Sequence, residues 1–305
     1  MLSRSPTLAR HPALATLLLT ALAMLAFAAN SLLCRIALRQ GSIDPASFGA
    51  IRLAAGAAAL LLVMRLQSPP RTGKAGDWPA AVMLFLYVAC FSFAYLRLAA
   101  GSGALILFGM VQLTMFAAGL AAGERFTARG WLGLALAAGG LVLLLLPGVA
   151  APSPLGAALM AVAGVAWGVY SLRGRGVTDP LAATAGNFVR ATPLAMLLWI
   201  ALWLLSWLAG AARGHVDARG VALALASGAL TSGLGYVIWY AALPRLKALQ
   251  AASVQLSVPL IAALGGVLLL DEAFTTRLAL AALAILGGIA LVLGGGRLGT
   301  YPGRE

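Results

Sequence analysis

Three amides, Asn30, Gln112 and Gln255, and six rings, Tyr87, Phe108, Trp167, Tyr170, Tyr236 and Trp239, stand inside long apolar stretches of this chain. An amide donates and accepts hydrogen bonds, and a ring offers a flat apolar face with a polar edge in Tyr and Trp. Interhelical hydrogen bonding would account for each amide alone, and core packing for each ring alone. Taken as a group they suit non-covalent recognition of a flat, amphipathic small molecule in a pocket. No residues for covalent chemistry accompany them. A glycine loop followed by Lys-Ser or Lys-Thr, a G-x-S-x-G elbow and an HExxH pair are all absent. Cys34 and Cys90 have neither metal nor disulfide spacing, so no cofactor and no metal are expected. The eight acids, Asp44, Asp77, Glu124, Asp179, Asp217, Asp271, Glu272 and Glu305, fall in tails, loops or helix ends, as do His11 and His215. A proton relay at membrane depth needs a titratable group there. Movement down a substrate's own gradient is therefore expected over proton antiport.

The elements that would position these groups follow from composition. Apolar residues make up 62% and charged residues 10% of the 305, far from the balance of soluble domains. The apolar residues fall into ten runs, approximately 13–38, 46–66, 78–97, 101–122, 128–147, 154–173, 180–208, 220–242, 248–270 and 276–295. Each can cross a hydrocarbon core of roughly 30 Å at about 1.5 Å per residue. Barrel strands would instead alternate over short segments, so the runs predict an all-α membrane protein of ten transmembrane helices. Arg4 and Arg10 ahead of Ala26-Phe27-Ala28 imitate a secretory signal, but nine further spans follow and the first run is expected to remain as a helix. The net charge of +13 is distributed as an orienting signal: with a cytoplasmic N-terminus, thirteen Lys or Arg lie in tails and even-numbered loops and six on the opposite side. Arg65, Arg71, Lys74, Arg173, Arg175, Arg245 and Lys247 belong to the richer side. This predicts both termini in the cytoplasm, contact with membrane lipid, and no nucleic-acid partner.

The runs repeat. "GERFTARGWLGLALAAGG" from Gly123 and "DEAFTTRLALAALAILGG" from Asp271 match at an offset of 148: Glu124 with Glu272, Phe126 with Phe274, Thr127 with Thr275, Arg129 with Arg277, Gly139-Gly140 with Gly287-Gly288. Arg97 and Arg245 share the offset, and Asp44-Pro45 is echoed by Asp179-Pro180. The chain thus reads as two five-helix units, residues 13–148 and 149–295, flanked by tails 1–12 and 296–305. Because five is odd, the second unit enters the bilayer inverted, the arrangement in which secondary transporters hold substrates between halves near the midplane. Thr127 and Thr275 are expected to cap helices five and ten, with Glu124 and Glu272 beside those positive helix ends. The Gly-Gly pairs are expected in close helix packing.

Further groups lie at depth. Arg52, about seven residues past Pro45, is expected to snorkel to the interface, and Arg190 to pair with carbonyls or Asn187. Pro193 and Pro259 interrupt spans and predict a hinge or kink, freeing the carbonyls of Val189 and Gln255. Trp78 and Trp131, and the stripe Trp199, Trp203 and Trp207, fit an interfacial belt or lipid face.

Ten helices in two halves, each with an apolar fourth helix closing on Gly-Glu or Asp-Glu, then Phe-Thr, then Gly-Gly, resemble the EamA-type drug/metabolite transporter superfamily. The resemblance covers nearly the whole chain. Trp167 fits a Trp common in the first helix of a half, where Phe27 stands in the other half; Pro259 fits a proline before the acidic turn, where Val111 stands in the first. The resemblance implies export of small metabolites by alternating access, and the deep rings make the chain look most like the bacterial aromatic amino-acid exporters. On that reading Asn30, Gln112 and Gln255 hold a zwitterion while Tyr87, Trp167, Tyr170, Tyr236 and Trp239 hold its side chain. The expected substrate is a small molecule and the expected location the bacterial inner membrane; the oligomeric state is left open, a monomer being compatible with the resemblance.

Overall fold

The computed structural model describes residues 12–66, 76–123, 127–148, 151–174, 177–210, 214–242, 245–246 and 254–295. Helices account for nearly all of these: α1 (Pro12–Arg39), α2 (Pro45–Leu66), α3 (Trp78–Tyr95), α4 (Ala100–Ala121), α5 (Ala128–Leu145), α6 (Pro154–Arg173), α7 (Pro180–Leu208), α8 (Ala218–Ala242), α9 (Ser257–Leu270) and α10 (Thr276–Gly295). Among the described residues nine are long and apolar enough to cross a membrane, and α9 is a shorter apolar helix. The tails, Glu124, Phe126, Arg71, Lys74, Arg175 and Lys247 lie outside the described residues.

Local chemistry sets the helix starts. Asp44 accepts from the backbone N–H groups of Ala46 and Ser47, and Asp179 from that of Ala182, with proline opening both helices. Thr127 and Thr275 take the backbone N–H groups of Gly130 and Leu278, as expected for caps. Asp217 caps α8, and the Gly220 N–H, ahead of the nearby His215, holds its carboxyl below the usual range.

Packing makes the duplication visible. α2 lies against α7, α4 against α9 and α5 against α10, each helix meeting its own counterpart, while α1 packs on α8 and α6 on α3. That pattern is a pseudo-twofold relation between two inverted five-helix halves. At the α5–α10 crossing a Cβ on Gly140 would stand 2.9 Å from Ile285 Cγ1, and one on Gly288 2.6 Å from Ala137 N. These contacts are mates under the 148-residue offset. Gly139 and Gly287 face open space, so only the second glycine of each pair lets the backbones approach. Gly288→Val is expected to force the helices apart and cost about 1–3 kcal/mol, whereas Gly287→Val should leave the melting temperature nearly unchanged; scanning calorimetry of the two variants separates them.

The ends of the bundle differ. We call the end carrying the α1–α2 turn the upper end. There Ile43 and Val216 form an antiparallel bridge, Asp44 N donates to His215 O (3.0 Å), and Asp217 N donates to Ser42 O (2.9 Å). Arg39 donates to the Leu270 carbonyl and Arg277 to that of Leu146. Glu272 is expected beside its own helix, α10. Instead it crosses to the other half, its Oε2 accepting from Ala100 N (2.7 Å) and its Oε1 from Arg35 Nε (2.9 Å). The N-terminus of α4 gives the carboxylate both open N–H groups and a favourable dipole. At the lower end the described ion pair between halves is Arg173–Asp77, 3.2 Å and exposed.

Candidate functional site

Midway through the bundle, several expected residues come together with others that the sequence does not single out. Asn30 ends nine residues before the close of α1, Tyr87 eight before the close of α3, and Arg52 stands seven into α2. At about 1.5 Å per residue all three sit roughly 10–13 Å below the upper end. Asn30 Nδ2 donates to Tyr87 Oη at 3.3 Å, and Asn30 Oδ1 accepts from Ser227 Oγ at 2.7 Å and Thr231 Oγ1 at 3.4 Å. One amide therefore joins α1 and α3 of the first half to α8 of the second.

Ser227 and Thr231 occupy a π-helical stretch, Ser227–Leu234, inside α8. Its wider turn sets Ser227, Thr231 and Ser232 on the side facing α1 and α2, and such segments recur at functional sites. Gly228 permits the approach: a Cβ there would collide with the carbonyl oxygen of Arg52.

Arg52 corrects an expectation. It does not snorkel; it is 1% exposed and among the largest fully buried side chains. Nε donates to Ser232 Oγ (3.2 Å) and Nη2 to Tyr87 Oη (3.1 Å), while the rings of Tyr87 and Phe91 cover the guanidinium at 5.2 and 5.0 Å. Nη1 has no hydrogen-bond partner. The nearest acid along α2 is its cap Asp44, whose carboxylate is already held by two backbone N–H groups and Ser47 Oγ (2.5 Å). Among the described residues no carboxylate pairs with Arg52, and a buried charge so placed costs several kcal/mol after relaxation.

Below this polar group lies a ring assembly centred on Trp167. Its centroid is 4.9 Å from Tyr87, 5.3 Å from Tyr170 and 5.5 Å from Tyr236, the last two stacked at 25° and 17°. Phe27 meets Tyr236 at 5.8 Å and Trp239 at 6.1 Å. The α1–α8 ring contacts thus answer the α6–α3 contact across the pseudo-twofold axis. Tyr240 extends the assembly and exchanges a 3.1 Å hydrogen bond with Thr184.

Of the eight residues expected to line a site, Asn30, Tyr87, Trp167, Tyr170, Tyr236 and Trp239 are brought together. Gln112 is half-buried on α4 and Gln255 half-buried just before the break at Leu256, and neither shares a hydrogen bond with the described cluster. Pro259 is buried in the first turn of α9, which begins at Ser257. Pro193 lies on the exposed face of α7, and the helix runs through it. Phe108 is buried in the core. Arg190 bonds the Gly186 carbonyl at 3.0 Å, as expected, while Asn187 accepts from Asp77 N at 3.0 Å and ties α7 to the start of α3. Trp199, Trp203 and Trp207 are exposed on the bundle's outside, and Trp199 Nε1 also donates to Ser47 Oγ (2.9 Å).

The residues that sequence reasoning passes over are Ser227, Thr231 and Ser232, while Arg52 is singled out but expected at the interface. Three hydroxyls within six residues of an apolar span were the available signal.

The chain matches the EamA-like transporter family over residues 14–146 and 154–294, one match for each half. It belongs to that family. An uncharacterized protein of Pseudomonas aeruginosa is 55% identical over 278 residues, 91% of this chain and 94% of its own length. A protein of known crystal structure, 21% identical, superposes over 93% of this chain and 99% of its own with a TM-score of 0.64, a likeness of fold. This EamA-like protein is a multi-pass membrane protein of a transporter family.

Proposed function

We propose that this EamA-like protein exports amino acids, aromatic or other bulky apolar ones preferred, and related small metabolites across the bacterial inner membrane by alternating access. In this reading tails 1–12 and 296–305 are cytoplasmic, repeats 13–148 and 149–295 enclose the passage, and the upper end faces outward. The observation that supports it most is the junction itself: an amide, three hydroxyls and a tyrosine drawn from both halves, beside a stack of rings. Such a site offers hydrogen bonds to a polar head and flat faces to an apolar tail. The upper-end ties between halves support a conformation closed outward. A passage for quaternary cations is disfavoured, because the buried charge at the junction is positive.

The test is uptake of labelled phenylalanine, tryptophan, threonine and a quaternary ammonium dye into liposomes holding the pure protein, with and without a pH gradient. Uptake of the aromatic amino acids, unchanged when the gradient is collapsed, is expected. Preference for the dye would remove the amino-acid reading, and strict dependence on the gradient would overturn the uncoupled one. Gln255 enters here as a proposed ligand at the lower end of the passage. Gln255→Leu should lower phenylalanine uptake about tenfold, the worth of roughly 1.4 kcal/mol of lost hydrogen bonding, with the melting temperature held; uptake at the unaltered rate would discard Gln255 as a ligand.

A further inference from the structure

We infer that the junction is an anion site in which Arg52 and Tyr87 bind the carboxylate of the substrate, and that a carboxylate, with or without an amino group, is the charge this protein recognises. The inference rests on the transporter reading and narrows its substrate class.

Two observations carry it. The first is Arg52, 1% exposed, with the rings of Tyr87 and Phe91 packed against the guanidinium and two of its nitrogens engaged by neutral oxygens. Its open edge is Nη1, which is buried and without a partner. A planar guanidinium edge is matched by a carboxylate through charge-assisted hydrogen bonds. The second is the hydroxyl of Tyr87. Its oxygen accepts from both Asn30 Nδ2 and Arg52 Nη2, so its lone pairs are used and its proton is left to give. Among the described residues no acceptor takes that proton. On the other side of the cluster the acceptors are already in use: Asn30 Oδ1 takes Ser227 and Thr231, and Ser232 Oγ takes Arg52. The cluster therefore holds a surplus of donors and a net positive charge, the complement of an anion. Nothing in it offers a negative group to an ammonium.

An aromatic carboxylate would place its head on Arg52 Nη1 and Tyr87 Oη and its ring toward Trp167, which lies 4.9 Å from the Tyr87 ring. Tyr87 belongs to both features, so head and tail sites adjoin. Since Asn30 and Arg52 bond the same phenolic oxygen, Asn30→Asp would put a carboxylate beside the guanidinium and occupy the site internally.

The experiment is calorimetric titration of the full-length protein in lipid nanodiscs with 3-phenylpropanoate, phenylalanine and 2-phenylethylamine, which share a ring and differ in charge. 3-Phenylpropanoate is expected to bind at least as tightly as phenylalanine, and 2-phenylethylamine not measurably. Arg52→Gln and Asn30→Asp should each weaken 3-phenylpropanoate roughly 10- to 100-fold, and Arg52→Lys, which keeps the charge but loses the planar edge, should weaken it less than Arg52→Gln. Equal binding of the amine and the acid by the unaltered protein, binding of none of the three, or full affinity in folded Arg52→Gln overturns the inference. The unaltered protein and Arg52→Lys decide the matter should the other variants fail to fold. If phenylalanine is transported yet 3-phenylpropanoate does not bind, the anion site fails and the transporter reading stands. Arg52-dependent binding of 3-phenylpropanoate without amino-acid transport gives the reverse.

Discussion

Asn30→Leu is expected to abolish transport while the protein still inserts and folds. Among the described residues the amide is the one side chain that bonds α1, α3 and α8 at once, through Tyr87, Ser227 and Thr231. A leucine fills similar space but returns no hydrogen bond. Each buried polar group left without a partner costs about 1–3 kcal/mol. Thr231 already has a second partner in the Ser227 carbonyl at 2.8 Å, so its hydroxyl turns to the backbone. Tyr87 keeps the bond from Arg52 Nη2, so Ser227 carries the loss. The expected melting temperature falls by a few degrees, and phenylalanine uptake falls at least a hundredfold, because the groups that would align the polar head have separated. Uptake within threefold of the unaltered protein, at a normal melting temperature, would show that the cluster only packs the bundle.

Glu272→Gln is expected to open the upper end. The carboxylate holds Arg35 of α1 and the first backbone N–H of α4, so it fastens the second half to two helices of the first. Arg35 Nη1 also reaches the Tyr95 carbonyl at 2.8 Å, so without Glu272 its charge keeps only neutral partners. Charge-assisted bonds contribute about 1.5–3 kcal/mol each, and a bias of that size moves a two-state equilibrium roughly 10- to 100-fold. Cys34 is a native reporter. It lies one residue before Arg35 and is 0% exposed in the closed arrangement. With Cys90 replaced by serine, maleimide labelling of Cys34 should accelerate by that factor in Glu272→Gln, and Arg35→Gln should act the same way. Labelling at the closed-state rate in both variants would mean that the upper end is fastened elsewhere, by the Ile43–Val216 bridge above all.

The architecture was legible because its signals are long and redundant. A span of about twenty apolar residues, a proline behind a capping aspartate, and a threonine before an apolar run each act locally, and two copies 148 residues apart reinforce one another. Asn30 and the deep rings were legible because a polar or bulky aromatic residue in an apolar run stands out by type. Arg52 was not, because seven residues from a helix end is a distance that permits either snorkelling or burial. The choice depends on which way α2 faces, and α2 is apolar all round. Its orientation is decided by packing against α7 and the π-helical stretch. That stretch itself carries no sequence signature beyond Ser227, Thr231 and Ser232 among small residues. Sequence order places Glu272 at the start of α10, whereas the inverted repeat brings the start of α4 from the other half closer. In the Gly-Gly pairs the spacing marked both glycines, yet only the helix rotation tells that Gly140 and Gly288 meet a neighbour and Gly139 and Gly287 do not.

If substrate passes between the Asn30 cluster and the Trp167 stack, a thiol set there must meet both water and substrate during transport. Thr231→Cys, in protein with Cys34 and Cys90 replaced by serine, tests this most directly through its rate of reaction with a small water-soluble thiosulfonate during transport. The thiol is expected to be modified, with saturating phenylalanine slowing the reaction at least tenfold. A transport-competent protein whose Cys at 231 stays unmodified, or is modified at a rate indifferent to phenylalanine, would contradict it.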